Sequence, residues 1–136
     1  MSQENVKIVH RALAAWNGRD IEALLALTDP EVEYVNSPTA VEPGTRWGHE
    51  SFERVIRAQW EILSDAHWEV DRLYERGDEI VGLGRISRRM PGSDARIEDR
   101  VLLAVRFDNG KVTRMEVLGF GQAEVQEALE AVGLSE

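Results

Sequence analysis

From Ala66 to Phe120 the chain reads as β-strand almost without pause, broken only at Gly77-Asp78, at Pro91-Gly92-Ser93-Asp94 and at Asn109-Gly110. That block constrains the fold more than any other feature, because strands joined by short turns pair antiparallel with their chain neighbours. Asn109-Gly110 is the strongest of the three breaks. Both residue types tolerate the positive φ of a type I′ turn, which predicts a hairpin between Leu102–Phe107 and Val112–Val117. Long strands in a meander follow from these turns.

Helical periodicity occupies the rest. Ser2 caps a first helix running to Asn17, with Val6, Val9, Leu13 and Trp16 as its apolar stripe and Gly18 as its stop. Asp20 caps a short second helix carrying Leu24, Leu25 and Leu27, which Asp29-Pro30 ends. Glu31 to Asn36 alternates as a strand, with Val32, Tyr34 and Asn36 on one face. Ser37 to Gly48, holding Pro38, Pro43 and Gly44, reads as a loop. A third helix from Glu50 to Leu63 puts Phe52, Val55, Ile56, Gln59, Trp60 and Leu63 on one face, where Gln59 is the single polar member. Ala123 to Val132 forms the last helix, closed by Gly133. Strands and helices are grouped rather than alternating. The class is therefore α+β: a curved antiparallel sheet packed by three helices, with a C-terminal helix, in one domain over residues 1–136. A cone of this kind leaves a gap between sheet and helices, and such gaps take ligands.

Charge and composition remove several function classes. The chain has 16 Lys and Arg against 25 Asp and Glu, a net charge of −9 that repels phosphate backbones and argues against a nucleic-acid partner. The arginine-rich segment Arg85 to Arg100 also holds Asp94, Glu98 and Asp99, so it reads as a solvated hairpin face. There is no cysteine, hence no thiol nucleophile or thiolate metal site. His10, His49 and His67 show no ligand spacing, and neither a P-loop nor a nucleophile elbow occurs, so neither metal nor cofactor is expected. Ala23 to Leu27 and Val101 to Val105 are the longest apolar runs and too short for a bilayer, and the first residues lack a signal-peptide layout. A cytoplasmic protein with no membrane partner is the expectation.

The order of elements, the phrase AAWNGRDIEALLALTDPEVEYV, the GHE opening of the third helix and the DNGKVTRMEV hairpin resemble the nuclear transport factor 2-like superfamily, and within it the SnoaL-like branch of small bacterial proteins. The resemblance covers Glu4 to Leu134 and implies the cone-like fold. It implies less about activity, since the superfamily hosts isomerases, cyclases, dehydratases, epoxide hydrolases and plain binding proteins. Positions that the steroid ketoisomerases of this fold use for proton transfer fall at Ala12, Ser37 and Leu103, which move no proton. The Tyr-x-Asn-x-Pro pattern of the limonene-type epoxide hydrolases is matched by Tyr34, Asn36 and Pro38, and their arginine by Arg85. Their two carboxylates fall at Ser87 and Val117, which leaves that mechanism with neither base nor acid. Polyketide cyclases of the SnoaL type need an internal carboxylate, which raises the question of which acids point inward.

Strand alternation supplies candidates. Asp99, Val101, Leu103, Val105 and Phe107 share one face, as do Val81, Leu83, Arg85, Ser87 and Arg89, and as do Met115, Val117 and Gly119. With Trp16 and Trp60 from the helices, this yields an apolar pocket lined by Trp16, Tyr34, Asn36, Trp60, Ser87, Leu103, Met115 and Val117. Asp99 and Arg85 are the candidate catalytic pair. Asp99 serves either as acid/base or as the ion-pair partner of Arg85 or Arg89, and Arg85 serves either as an anion clamp or in that same pair. On the outer face Ile80, Ile86, Leu102, Leu118 and Phe120 form an apolar patch, which predicts a homodimer. Three readings stay open: a proton-transfer enzyme acting on a small apolar organic ligand, a non-catalytic carrier of such a ligand, and an association module.

Overall fold

The computed structural model describes residues 2–37 and 43–134. Helix α1 (Gln3–Asn17) begins where the Ser2 side chain accepts from the Asn5 N–H. Helix α2 (Ile21–Ala26) begins where Asp20 accepts from the Ala23 N–H. Strands β1 (Thr28–Asn36) and β2 (Gly44–Trp47) precede helix α3 (Gly48–Ile62). Strands β3 (His67–Arg76), β4 (Glu79–Arg89), β5 (Arg96–Asp108) and β6 (Lys111–Phe120) form the meander, and helix α4 (Gln122–Ala131) follows. Asn109 and Gly110 have φ of 51° and 75°, the two left-handed residues that a type I′ turn requires.

The six strands lie in the order β2-β1-β6-β5-β4-β3. Two features differ from the sequence reading. The sheet is mixed rather than antiparallel throughout, because β1 runs parallel to β6, with Tyr34 opposite Met115. The intervening chain is long enough to bring β6 back beside β1 in the same direction. The segment read wholly as a loop also contains β2, a four-residue edge strand pairing Gly44 with Asn36 and Trp47 with Glu33. So short a strand, opened by a glycine, carries no legible alternation.

Helices α1, α2 and α3 cover the concave face. Phe52, Val55, Ile56 and Trp60 of α3 are buried there with Val32 and Tyr34 of β1, and the Phe52 and Tyr34 rings meet at 5.6 Å. His49 in the first turn of α3 ties that helix to β1 through the hydroxyl of Thr28 (2.9 Å) and its carbonyl (3.1 Å). Helix α4 packs on the opposite, convex face. Its Val125 and Leu129 form a second core with Val81, Leu83, Leu102 and Ala104. This corrects the basis for a homodimer. Leu102 and Leu118 pack in the core under α4, whereas Ile86 belongs to the concave core and Ile80 and Phe120 line cavities on that side. The five residues form no exposed patch for a second copy.

Two irregularities decide which side chains face the concave side. Leu102 pairs with Gly119 but Leu103 with Val117, so Leu118 is an inserted residue and the alternation of β6 slips there. Gly119 then lies against the Glu124 backbone of α4, and Phe120 turns inward. In β3 the register slips between Val70 and Arg72, opposite Gly84 of β4. A methyl group on Gly84 would run into the Glu69 carbonyl oxygen, so only glycine lets β3 press this closely on β4 at the bend.

Candidate functional site

Two apolar chambers lie between α1, α3 and the concave face, and both are walled by Trp16, Tyr34, Gln59 and Trp68. The narrow one has a volume of about 60 Å³ and is also lined by Val9, Leu13, Phe52, Leu103, Val105 and Met115, among others. The wide one has a volume of about 220 Å³ and adds Asn36, Ile86, Arg88, Val101, Val117 and Phe120. Their combined space falls just short of the ~300 Å³ at which pockets for drug-sized molecules begin, which is room for a small molecule only.

The wall between the chambers is a hydrogen-bonded relay. The Trp16 indole N–H donates to Gln59 Oε1 at 3.2 Å, and Gln59 Nε2 donates to the Tyr34 hydroxyl oxygen at 2.9 Å. An indole nitrogen only donates, which fixes the Gln59 amide orientation and makes Tyr34 an acceptor from it. The Tyr34 O–H proton therefore remains available to an acceptor in either chamber. Asn17 completes the wall: its side chain donates to the Trp68 carbonyl and accepts from the Trp68 N–H, each at 2.8 Å. That clamp holds the Trp68 ring edge-on to Trp16 at 5.5 Å.

Burial pushes the Tyr34 phenol up to about 12, and the Gln59 hydrogen bond opposes the shift. At neutral pH the group is a donor and not a base. An unfolded tyrosine releases its proton near ~10, so between that value and about 12 the folded state binds more protons than the unfolded one. The stabilisation is complete below ~10 and is lost as pH rises through the folded value, amounting to about 2–3 kcal/mol. The chain has 2 tyrosines, so Tyr74→Phe leaves Tyr34 alone. Its tyrosinate absorbance is expected to appear with a midpoint near 12; a midpoint near ~10 would show a phenol in contact with water.

The remaining sequence candidates divide. Trp16, Tyr34, Asn36, Leu103, Met115 and Val117 line one or both chambers. Asn36 is buried, and its Oδ1 accepts from the Ser37 N–H. Trp60 is buried in the core without lining a chamber, and its Nε1 has no hydrogen-bond partner among the described residues. Arg85 and Ser87 are displaced from the site altogether. The concave residues of β4 are Ile80, Gly82, Ile86 and Arg88, so Arg85 and Ser87 sit on the convex side. There Arg85 pairs with Glu69 (2.8 Å), Asp71 (2.9 Å) and Glu98 (3.1 Å), and Asp71 first, then Glu98, raise its pKa. Ser87 accepts from Arg96 Nε at 2.9 Å. Asp99 stays on the concave side, opposite Ile86, but at the rim, where Arg88 Nε reaches it at 3.3 Å. It pairs with neither Arg85 nor Arg89, since Arg89 faces Asp65 instead. The last residue of the Tyr-x-Asn-x-Pro pattern, Pro38, lies outside the described residues.

Two polar groups of the site were not among the sequence candidates. Gln59 carried a signal, as the lone polar residue on an apolar helical face. Arg88 carried none once β4 had been placed in the wrong phase.

Among the described residues no helix is long and apolar enough to cross a membrane. Residues 9–115 match the family model described as a SnoaL-like domain. Among solved structures, TerC co-crystallised with polyporic acid is 23% identical with a TM-score of 0.76, the match covering 94% of this chain and 99% of that one. A nuclear transport factor 2-like protein of unknown function from Burkholderia pseudomallei is 24% identical with a TM-score of 0.77, covering 94% and 98%. A hypothetical protein with a ketosteroid isomerase-like fold from Catenulispora acidiphila, in complex with trimethylamine, is 20% identical with a TM-score of 0.70, covering 94% and 93%. No curated protein matches the chain. The family match extends from α1 into β6, over elements that build both chambers, and the solved structures share the nuclear transport factor 2-like fold: the chain belongs to the SnoaL-like family.

Proposed function

We propose that this protein binds a small, mostly apolar organic molecule through one acceptor oxygen, with the Tyr34 hydroxyl as the recognising donor. The observation that carries the reading is the relay itself. Gln59 is held by Trp16 and supplies Tyr34 with a hydrogen bond, leaving the phenolic proton without an acceptor among the described residues. A buried donor without a partner costs free energy that a ligand oxygen recovers. Two relatives of this fold were crystallised with small ligands, which accords with the reading.

The geometry favours a carrier or sensor over a proton-transfer enzyme. Asp99 and Arg85 are absent from both chamber walls, and Asp99 is engaged by Arg88. The buried phenol is held in its neutral form, so it polarises a carbonyl without removing a proton.

Acetonaphthone, an apolar bicycle with a single ketone oxygen, is the test ligand. Calorimetric titration is expected to show saturable binding that Tyr34→Phe weakens about 5- to 10-fold, the value of one neutral hydrogen bond. Equal affinity for both proteins would remove Tyr34 from recognition, and absence of saturable binding would overturn the reading of the chambers as a ligand site.

A further inference from the structure

Arg88 is the cation of the wide chamber. It projects from the concave face of β4 beside Ile86, Val101 and Phe120, and its side chain is 30% exposed. Among the described residues its side chain makes one ion pair, through Nε at 3.3 Å from Asp99 Oδ2. Among the described residues its two terminal nitrogens make no hydrogen bond. This contrasts with Arg85, where five hydrogen bonds to three carboxylates engage Nε, Nη1 and Nη2.

A guanidinium offers two flat edges to a carboxylate, one through Nε and one terminal nitrogen, the other through both terminal nitrogens. Asp99 touches Arg88 only at Nε, so the end edge remains open beside an apolar chamber. The role fits Asp99 as well: it orients the guanidinium and partly neutralises it in the empty state. The end edge pairs bidentately with a planar anion, and such a charge-assisted pair is about twice as strong as a neutral hydrogen bond.

We infer that the wide chamber selects organic anions, with the ligand's carboxylate on the end edge of Arg88 and its apolar body between Trp16, Trp68 and Val117. The inference rests on the reading of the chambers as a ligand site and adds a charge requirement to it. Tyr34 and Arg88 line the same chamber, so one ligand has two distinct polar anchors there.

Naphthoate and acetonaphthone share the bicycle and the acceptor oxygen and differ in charge, so their comparison isolates Arg88. Wild-type protein is expected to bind naphthoate at least about 10-fold more tightly than acetonaphthone, the lower end for a charge-assisted pair because the site is partly exposed. Arg88→Gln should abolish that preference, and an unchanged far-ultraviolet circular dichroism spectrum shows that the variant is folded. Asp99→Asn should tighten naphthoate binding by a few-fold, because it removes a competing negative charge from the same guanidinium. Equal binding of the two probes by wild-type protein, or a preference that survives Arg88→Gln, would overturn the inference and leave the neutral-ligand reading standing. Failure of both probes to bind would overturn the two readings together. If Arg88→Gln loses both probes, the Asp99→Asn titration decides: tighter naphthoate binding supports the inference, and unchanged binding overturns it.

Discussion

Gly84→Ala is expected to destabilise the fold by about 3 kcal/mol or more, at the upper end for an added methyl, because the obstacle is backbone. The new Cβ would collide with the Glu69 carbonyl oxygen, and the Glu69 carbonyl carbon and Val70 Cα lie only 3.1 and 3.2 Å away. A side chain in the way can change rotamer, whereas a paired strand has to separate. Gly82, two residues earlier on the same face, is the control: a methyl there meets only Leu73 Cδ2 at 3.5 Å and Val70 Cγ2 at 3.9 Å, which is ordinary contact. Gly82→Ala is therefore expected to change stability by less than about 1 kcal/mol while reducing the narrow chamber that Gly82 lines. Urea denaturation of the three proteins measures both differences. Equal midpoints for the two variants would mean that β3 is not pressed onto β4 at the bend.

Arg19→Met is the second substitution expected to have a large effect, about 3 kcal/mol. Arg19 has a left-handed φ of 55°, a strained conformation for any side chain but glycine. Its guanidinium compensates by donating to the carbonyls of Trp16 (3.1 Å), Leu63 (3.2 Å), Ser64 (3.0 Å) and Ala66 (3.0 Å). Three of these acceptors lie at the end of α3 and the start of the chain leading into β3, where carbonyls lack helical partners. The guanidinium also lies over the Trp16 ring at 5.0 Å and 6.0 Å from that of Trp60. Partial burial lowers its pKa and Asp65 opposes this, so the group stays charged throughout the ordinary pH range. Methionine keeps the strain and loses every hydrogen bond, of which those to charged donors are worth about 1.5–3 kcal/mol. Arg19→Gly loses the bonds but relieves the strain, so it should be about 1 kcal/mol less damaging than Arg19→Met. Thermal unfolding of the pair separates the two contributions. If both variants match wild type, the guanidinium is not the fastener between α1 and α3.

The parts of the fold legible from sequence are those in which one face meets apolar neighbours and the other meets water. The α3 stripe of Phe52, Val55, Ile56 and Trp60 is of this kind, and so is β1, where Val32, Tyr34 and Asn36 are buried and Glu33 and Val35 between them are less so. Strand β4 breaks that rule. In its first half Ile80 faces the concave core and Val81 and Leu83 face α4, so both faces are apolar and alternation carries no sign of inside or outside. The sequence reading took Val81 and Leu83 as the cavity side, which carried Arg85 and Ser87 inward and Arg88 outward. Gly82 and Gly84 held the better clue, because the crowded side of a bent strand is the one that needs small residues. Strand β6 failed differently: the extra residue at Leu118 shifts its phase without leaving a mark in composition. Leu103, Met115 and Val117 precede that slip in the hairpin and line the chambers. Asp99 was placed on the concave side, but its partner followed from β4, and the error there assigned it to the wrong arginines.

The wall between the chambers has an optical consequence. Of the 4 tryptophans, Trp16 and Trp68 face the chambers, Trp60 is in the core, and Trp47 is 65% exposed. The Trp16 indole is hydrogen-bonded to the same amide that supports the Tyr34 phenol, and its ring meets the edge of Trp68. Anything that enters either chamber changes the polarity and the neighbours of both rings at once, while Trp47 responds only to solvent. The chain thus carries an intrinsic fluorophore pair at the proposed ligand site, with an internal reference outside it, and its emission is expected to report occupancy without a label.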